Sequence, residues 1–282
     1  MNEHALLLPC GQDTLVGVLS LPGAPSNTAV VIVVGGPQYR VGSHRQFVLL
    51  ARALAAAGHA VLRFDYQGMG DSDGPSGDFL TATPGICAAM DGLQNRVPQV
   101  EKIVLWGLCD AASAALLYVH ETKDPRVAGL CLLNPWVRSE ASLARTQVKH
   151  YYTQRLMQRT FWAKLLSGKV ALGALKGLAH NVKLSRAKVS STHADNRPFQ
   201  QRMAAAWMDF GGHILLLLSD NDYTAKEFLE YAAADVDWRE VFRHRLLERH
   251  DIPLADHTFS DPAAQMEVER LTLQWIQASQ TQ

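Results

Sequence analysis

Short apolar runs alternate with helix-like stretches along most of this chain. Residues 30–34, 60–64, 103–106, 129–133 and 213–218 are brief, apolar and rich in branched side chains, the pattern of strands buried on both faces. Helical spacing marks 45–57, 83–96, 111–120, 223–233 and 262–278. Alternation of the two kinds predicts a parallel sheet covered by helices on both faces. Ahead of it, residues 5–8 and 14–21 flank Gly11-Gln12-Asp13 and predict an antiparallel hairpin at the sheet edge.

The regular pattern breaks between residues 138 and 202. That stretch holds thirteen Lys or Arg against Glu140 and Asp195, a surplus of eleven positive charges. Because the whole chain has a formal net charge of zero, the remainder carries the opposite sign, and basicity is confined to this insert. We read it as a helical cap over 138–202, with the core formed by 1–137 and 203–282. Its pairs Tyr151-Tyr152, Leu156-Met157, Phe161-Trp162 and Leu165-Leu166 recur at helical spacing; they suit either an acyl pocket or the packing of cap on core.

With 282 residues, 48% hydrophobic and 19% charged, the chain has material for one large α/β core. Overall neutrality gives no argument for nucleic acid as partner. Cys10, Cys87, Cys109 and Cys131 show no C-x-x-C spacing, and no signal peptide pattern opens the chain, so a reducing, cytoplasmic compartment is expected. No run approaches the roughly 18 to 20 apolar residues of a membrane-spanning helix.

One turn carries the chemistry. Gly107-Leu108-Cys109-Asp110-Ala111 follows an apolar strand and opens a helix, which is the pattern of a nucleophile elbow with cysteine in the place of serine. Small flanking residues let the backbone pass close to its neighbours, while the central side chain is projected from the sheet at a helix N-terminus, where the dipole favours thiolate. Acyl transfer then needs an acid and a histidine in that chain order. Asp222 follows the strand 213–218 and precedes a helix, and His257 lies just before the last helix. Asp220 is an alternative acid, and His250 and His244 are weaker alternatives for the base. The run Val33-Val34-Gly35-Gly36-Pro37-Gln38 ends the third strand, where a backbone oxyanion donor is expected. Pro37 has no N–H, so that donor is Gly36 or Gln38, with the amide of Asp110 as the second. Residues 64–72 lack the spacing of a phosphate-binding or dinucleotide loop, so no nucleotide cofactor is inferred; Asp65 and Asp71 there suit hydrogen bonds to loop amides. Tyr39, Arg40, His44 and Arg45 are candidates for substrate contact or for the surface, and Trp136 for a pocket wall or the core.

Together these segments resemble the α/β-hydrolase superfamily and, within it, the hydrolase 1 family associated with the exosortase A system of exopolysaccharide-producing bacteria. The residues that carry the resemblance are Gly35 to Phe47, Phe64 to Gly74, Gly107 to Ala114, Asn221 to Ala225 and Asp256 to Phe259. It implies an eight-stranded, mostly parallel sheet with a helical cap after the sixth strand, a Cys109, Asp222, His257 triad, and no metal or organic cofactor. Ala111 departs from the glycine usual at that position of the elbow. The expected activity is hydrolysis of an ester or thioester through a covalent acyl-enzyme. The basic insert adds coenzyme A or an acidic acyl carrier protein as a candidate partner. Transfer of the acyl group to a sugar hydroxyl or amine, and a non-catalytic module that binds a carrier protein, are the alternatives.

Overall fold

A computed structural model describes residues 1–36, 38–138 and 195–280 of the protein. Pro37 and residues 139–194, with the aromatic and aliphatic pairs assigned to the cap, lie outside the described residues, as do 281 and 282.

The apolar runs form the middle of one sheet. Its strands are β1 (Asn2–Cys10), β2 (Asp13–Leu21), β3 (Thr28–Val33), β4 (Val61–Phe64), β5 (Lys102–Leu108), β6 (Val127–Leu133), β7 (His213–Ser219) and β8 (Leu247–Ile252). They lie in the order β1-β2-β4-β3-β5-β6-β7-β8. From β4 to β8 neighbours run parallel, and only β1 and β2 are antiparallel to theirs. β3 is buried along its whole length. Its alternate residues feed two cores: Val31 and Val33 face one, Val30 and Ile32 the other. This is why its sequence has no polar side.

Helices α1 (Gln46–Ala56), α2 (Thr83–Arg96), α3 (Asp110–Thr122), α4 (Phe199–Asp209), α5 (Tyr223–Ala234) and α6 (Pro262–Gln280) cover the sheet. Phe47, Leu50 and Leu54 of α1 pack in one core with Val268, Leu271 and Trp275 of α6. Residues from α2, α3, α4 and α5 build the other. There Trp207, Phe228 and Trp238 are fully buried and pack ring on ring, with the Trp238 indole N–H donating to Gln200 O at 3.0 Å.

Two elements were not read from the sequence. β8 is Leu-Glu-Arg-His-Asp-Ile, an edge strand with only its last residue buried, so it offers no apolar run. α4 starts inside the stretch assigned to the cap. The chain divides into the units Met1–Val137 with Arg197–Gln282, and Arg138–Asn196. Residues 197–202 therefore belong to the first unit rather than to a segment ending at 202. Arg202 shows why: its guanidinium is buried against α3 and pairs with Glu121 at 2.9 Å.

The end of β5 makes a tight backbone approach. A Cβ on Gly107 would stand 2.6 Å from the Ala111 carbonyl carbon and 2.7 Å from the Ala112 nitrogen. That contact is backbone and has no flexible end that could yield. Gly107→Ala is therefore expected to lower stability by about 2–3 kcal/mol, as overpacking does, whereas Gly211→Ala, with nothing within 4 Å of its added Cβ, changes it little. Denaturant midpoints of the two variants against wild type check this.

Candidate active site

The β5–α3 turn holds Cys109 at φ 62°, ψ −123°, a conformation that costs a non-glycine residue on the order of 1–3 kcal/mol. Surrounding backbone over-determines it. The Cys109 N–H donates to Leu133 O at 2.8 Å, and the Cys109 carbonyl accepts from Ala112 N at 3.1 Å and Trp136 N at 3.2 Å. Ser113 Oγ closes the brace by donating to Trp136 O at 2.6 Å. Trp136 thus anchors the elbow through its backbone. Ala111 is fully buried, and its methyl is accommodated by Gly35, where an added Cβ would come within 3.0 Å of it. The departure from glycine at Ala111 is offset by a glycine across from it.

Asp222 caps α5. Its Oδ1 accepts from Thr224 N at 3.2 Å and its Oδ2 from Ala225 N at 3.1 Å, so the carboxylate is fixed at a helix N-terminus. The same Oδ2 accepts from His257 Nδ1 at 2.8 Å, which leaves Nε2 for the sulfur of Cys109. Of the two candidate acids, Asp222 is the one brought to His257. His257 is held protonated up to about 10, first by its hydrogen bond to Asp222, then by the one to Cys109, against the opposing effect of burial. Burial pushes the Asp222 carboxyl up, but the bond to His257 and the two amides outweigh it and bring it below its ordinary value. Among the described residues, the other three cysteines have no such partner in a histidine. Desolvation raises the thiols of Cys10, Cys87 and Cys131.

His257 sits on a loop tied into the sheet by residues that sequence reasoning missed. Asn134, fully buried at the end of β6 with φ 44°, donates from Nδ2 to Ser219 Oγ at 2.9 Å and to His257 O at 3.2 Å. Its Oδ1 accepts from Ser219 N at 2.9 Å, and Ser219 Oγ donates to Asp256 O at 2.8 Å. Asp256 in turn accepts from Thr258 N at 3.1 Å and Ser260 N at 2.9 Å. The signal available was Asn134 directly after an apolar strand, a place where a buried amide serves several backbone groups at once. His250 pairs with Glu248 and His244 contacts Phe210 O, so neither alternative base reaches the site.

The loop after β3 meets α3 in an unexpected way. The Gly36 N–H, a candidate oxyanion donor, donates to Asp110 Oδ2 at 2.9 Å. Gly36 has φ 58°, which a glycine adopts freely. Gln38 lies in the same loop and accepts from Ser43 N through Oε1 at 3.3 Å. Arg40 is ion-paired to Asp65 and Asp71, and the Asp65 Oδ1 accepts its backbone N–H at 2.6 Å. Asp65 also accepts from Asp71 N at 3.1 Å, so its role is to hold the loop. His44 Nε2 lies 3.2 Å from Thr258 Oγ1, next to His257. Two cavities among the described residues are one of about 460 Å³ beside Leu6 to Pro9 and α2, and one of about 220 Å³ beside Tyr66 and Thr81. Among the described residues, no group of three His, Cys, Asp or Glu is placed to hold a metal ion, and no helix is long and apolar enough to cross a membrane.

A family model described as alpha/beta hydrolase family matches residues 21–268. The chain belongs to that family. An esterase from Pyrococcus furiosus is similar over 99% of this chain and 91% of its own, at 13% identity and a TM-score of 0.66. Est1E from Butyrivibrio proteoclasticus, solved with ferulic acid, covers 96% and 99% at 14% identity and 0.60. A dienelactone hydrolase from Anabaena variabilis covers 99% and 98% at 14% and 0.60. At such identities these likenesses speak for the α/β-hydrolase fold. No curated protein matches the sequence.

The pKa shift of His257 gives a pH signature. A histidine raised from 6.5 to about 10 stabilises the fold fully below its unfolded value and loses that contribution as pH rises through its folded one. The Asp222 contribution runs the other way, present above the ordinary carboxylate range and lost on acidification. The gap in thermal midpoint between wild type and Asp222→Asn is therefore expected to be widest between the ordinary carboxylate range and pH 6.5 and to shrink steadily from there towards pH 10. A gap independent of pH contradicts the pairing.

Proposed function

We propose that the protein is a hydrolase that cleaves an ester or thioester through a covalent acyl-enzyme on Cys109. The observation that carries this reading is the His257 imidazole, whose Nδ1 is bonded to Asp222 at 2.8 Å and whose protonated form is favoured first by Asp222 and then by Cys109. Esterases among the fold's solved relatives are consistent with it.

In the resting pair His257 holds the proton shared with Cys109, and Asp222 keeps the imidazole in the orientation that lets it hand that proton on. The sulfur attacks the acyl carbonyl, a C–S bond forms, and the π pair moves onto oxygen. Backbone N–H groups at the elbow, that of Asp110 with Gly36 or Gln38, stabilise that charge. Collapse of the adduct restores the carbonyl and expels the alkoxide or thiolate, which leaves with the proton held by His257. Water, giving its proton back to His257, then releases the acid and regenerates the thiol.

A thioester is the better fit to a cysteine. Thiolate attack exchanges one C–S bond for another, so the leaving group is no more basic than the nucleophile. An ester requires expulsion of a far more basic alkoxide. The eleven-charge basic surplus of residues 138–202 suits an anionic handle on such a substrate, coenzyme A or an acidic acyl carrier protein, within the cytoplasm. The motifs shared with the exosortase A system-associated hydrolase 1 family extend the proposal to exopolysaccharide synthesis.

Cys109→Ala and His257→Ala are each expected to lower kcat/KM on a short-chain thioester by about a thousandfold or more, the first with a thermal midpoint near wild type and the second with one lowered by loss of the Asp222 pair. Retained turnover in Cys109→Ala removes cysteine as the nucleophile. For the handle, kcat/KM on a coenzyme A thioester should fall about tenfold between low and 0.5 M salt, where charge screening is strong, while a neutral thioester shows no change. Equal salt dependence of the two rules out the anionic handle.

A further inference from the structure

The residue after the nucleophile has a side chain in an unusual place. Asp110 Oδ2 accepts the Gly36 N–H at 2.9 Å, and the N–H groups of Asp110 and Ala111 open α3 beside it. These N–H groups converge at the turn between the nucleophile and α3, where an acyl-transfer site of this fold gathers donors for a developing oxyanion. The room is built in. A Cβ on Gly35 would stand 2.1 Å from Asp110 Oδ1, so the glycine that admits the elbow also admits this carboxyl group. The arrangement leaves polar atoms unsatisfied: Asp110 Oδ1 and Tyr66 Oη are both buried without a partner among the described residues. Tyr66 is 8% exposed and lies within the field of the Asp110 charge, which, after burial, raises its hydroxyl pKa. Buried atoms without partners are what remains when a site is completed by another occupant.

We propose that the Asp110 carboxylate is the resting occupant of the oxyanion hole, and that the carbonyl oxygen of the substrate must displace it from the Gly36 N–H before Cys109 can react. The inference rests on the nucleophile reading above. Displacement exchanges one acceptor for another and makes or breaks no covalent bond. It is required electrostatically, because an oxyanion forming against a fixed carboxylate would meet like charge in a poorly screened site. Asp110 as a whole is only half-buried, so a turn about its side-chain bonds has solvent to move into. Gly36 and the Asp110 amide then serve as the donors they were expected to be, but only in the substrate-bound state. Asp110 thereby becomes a determinant of specificity. It sets an entry cost that favours acyl groups with strongly accepting carbonyls, and it acts on KM and on anionic inhibitors more than on turnover.

The probe is a short-chain alkyl trifluoromethyl ketone, whose carbonyl takes up a thiol and leaves an alkoxide in the hole. Asp110→Ala and Asp110→Asn are compared with wild type. The expected result for Asp110→Ala is a KM for a short-chain thioester lower by about threefold to tenfold, a Ki for the ketone lower by about tenfold, a range within reach of one charged hydrogen bond, and a kcat not reduced; Asp110→Asn falls between. A purely structural role predicts the reverse, a loss in kcat with KM and Ki unchanged or raised, and that result overturns the proposal. Wild type supplies a readout free of any variant's folding. In a crystal structure of its ketone adduct, the alkoxide should hold the Gly36 N–H with the Asp110 carboxyl turned away. A Cys109 adduct with Asp110 Oδ2 still on Gly36 N defeats this inference alone. Failure of the ketone to attach to Cys109 in any form defeats the nucleophile reading and this inference with it.

Discussion

The backbone contact between the β5–α3 turn and the end of β3 is the constraint on which the rest of the site depends. Gly107 and Gly35 leave no space for a side chain, since an added Cβ would stand 2.6 Å and 2.1 Å respectively from atoms of the turn. Only with both glycines in place can the chain reverse sharply enough to hold Cys109 at φ 62°. The strain is balanced by hydrogen bonds from three directions, Leu133, Ala112 and Trp136. A parallel sheet supplies those partners because its strand ends all terminate on one side. The loops after β3, β5, β6, β7 and β8 therefore meet, and the candidate chemistry is gathered where they do.

Electrostatics then orders the gathered groups. Against burial, the bond to His257 and then two amides at a helix N-terminus favour the charged Asp222, and Asp222 in turn holds His257 protonated; in the proposed mechanism that proton goes to the leaving group. Each group is tuned by a neighbour held on a different loop. The buried Asn134–Ser219 pair explains how such loops keep register: one amide side chain bonds the end of β7 and the carbonyl of His257 together. The carboxylate of Asp110 belongs to the same field. Its bond to Gly36 N is the point at which, on the proposal above, the resting site differs from one ready for acyl transfer.

Much of this was legible in the sequence. The central strands announced themselves because burial on both faces forbids polar residues, and the Gly-x-Cys-x-Ala turn because so few residues fit a strained elbow. Asp222 and His257 were found from chain order and from their positions beside helices. β8 escaped because an edge strand of Leu-Glu-Arg-His-Asp-Ile needs only its last side chain buried. α4 escaped because Gln200, Gln201 and Arg202 read as a continuation of the basic insert, although Met203, Ala204 and Trp207 behind them are core. Asn134 and the Asp110 carboxyl could not be read from spacing at all. Their roles depend on which loops lie across from them, which the fold decides and no local pattern records.

The central claim is that this elbow presents Cys109 as a nucleophile served by His257. Its most direct test is the mass of the protein, and of its peptides, seconds after mixing with a short-chain activated thioester. The account predicts one acyl increment located on Cys109, transient in wild type, absent from Cys109→Ala and slow to discharge in His257→Ala. An increment that maps to another residue, or turnover of the thioester without any increment on Cys109, would contradict it.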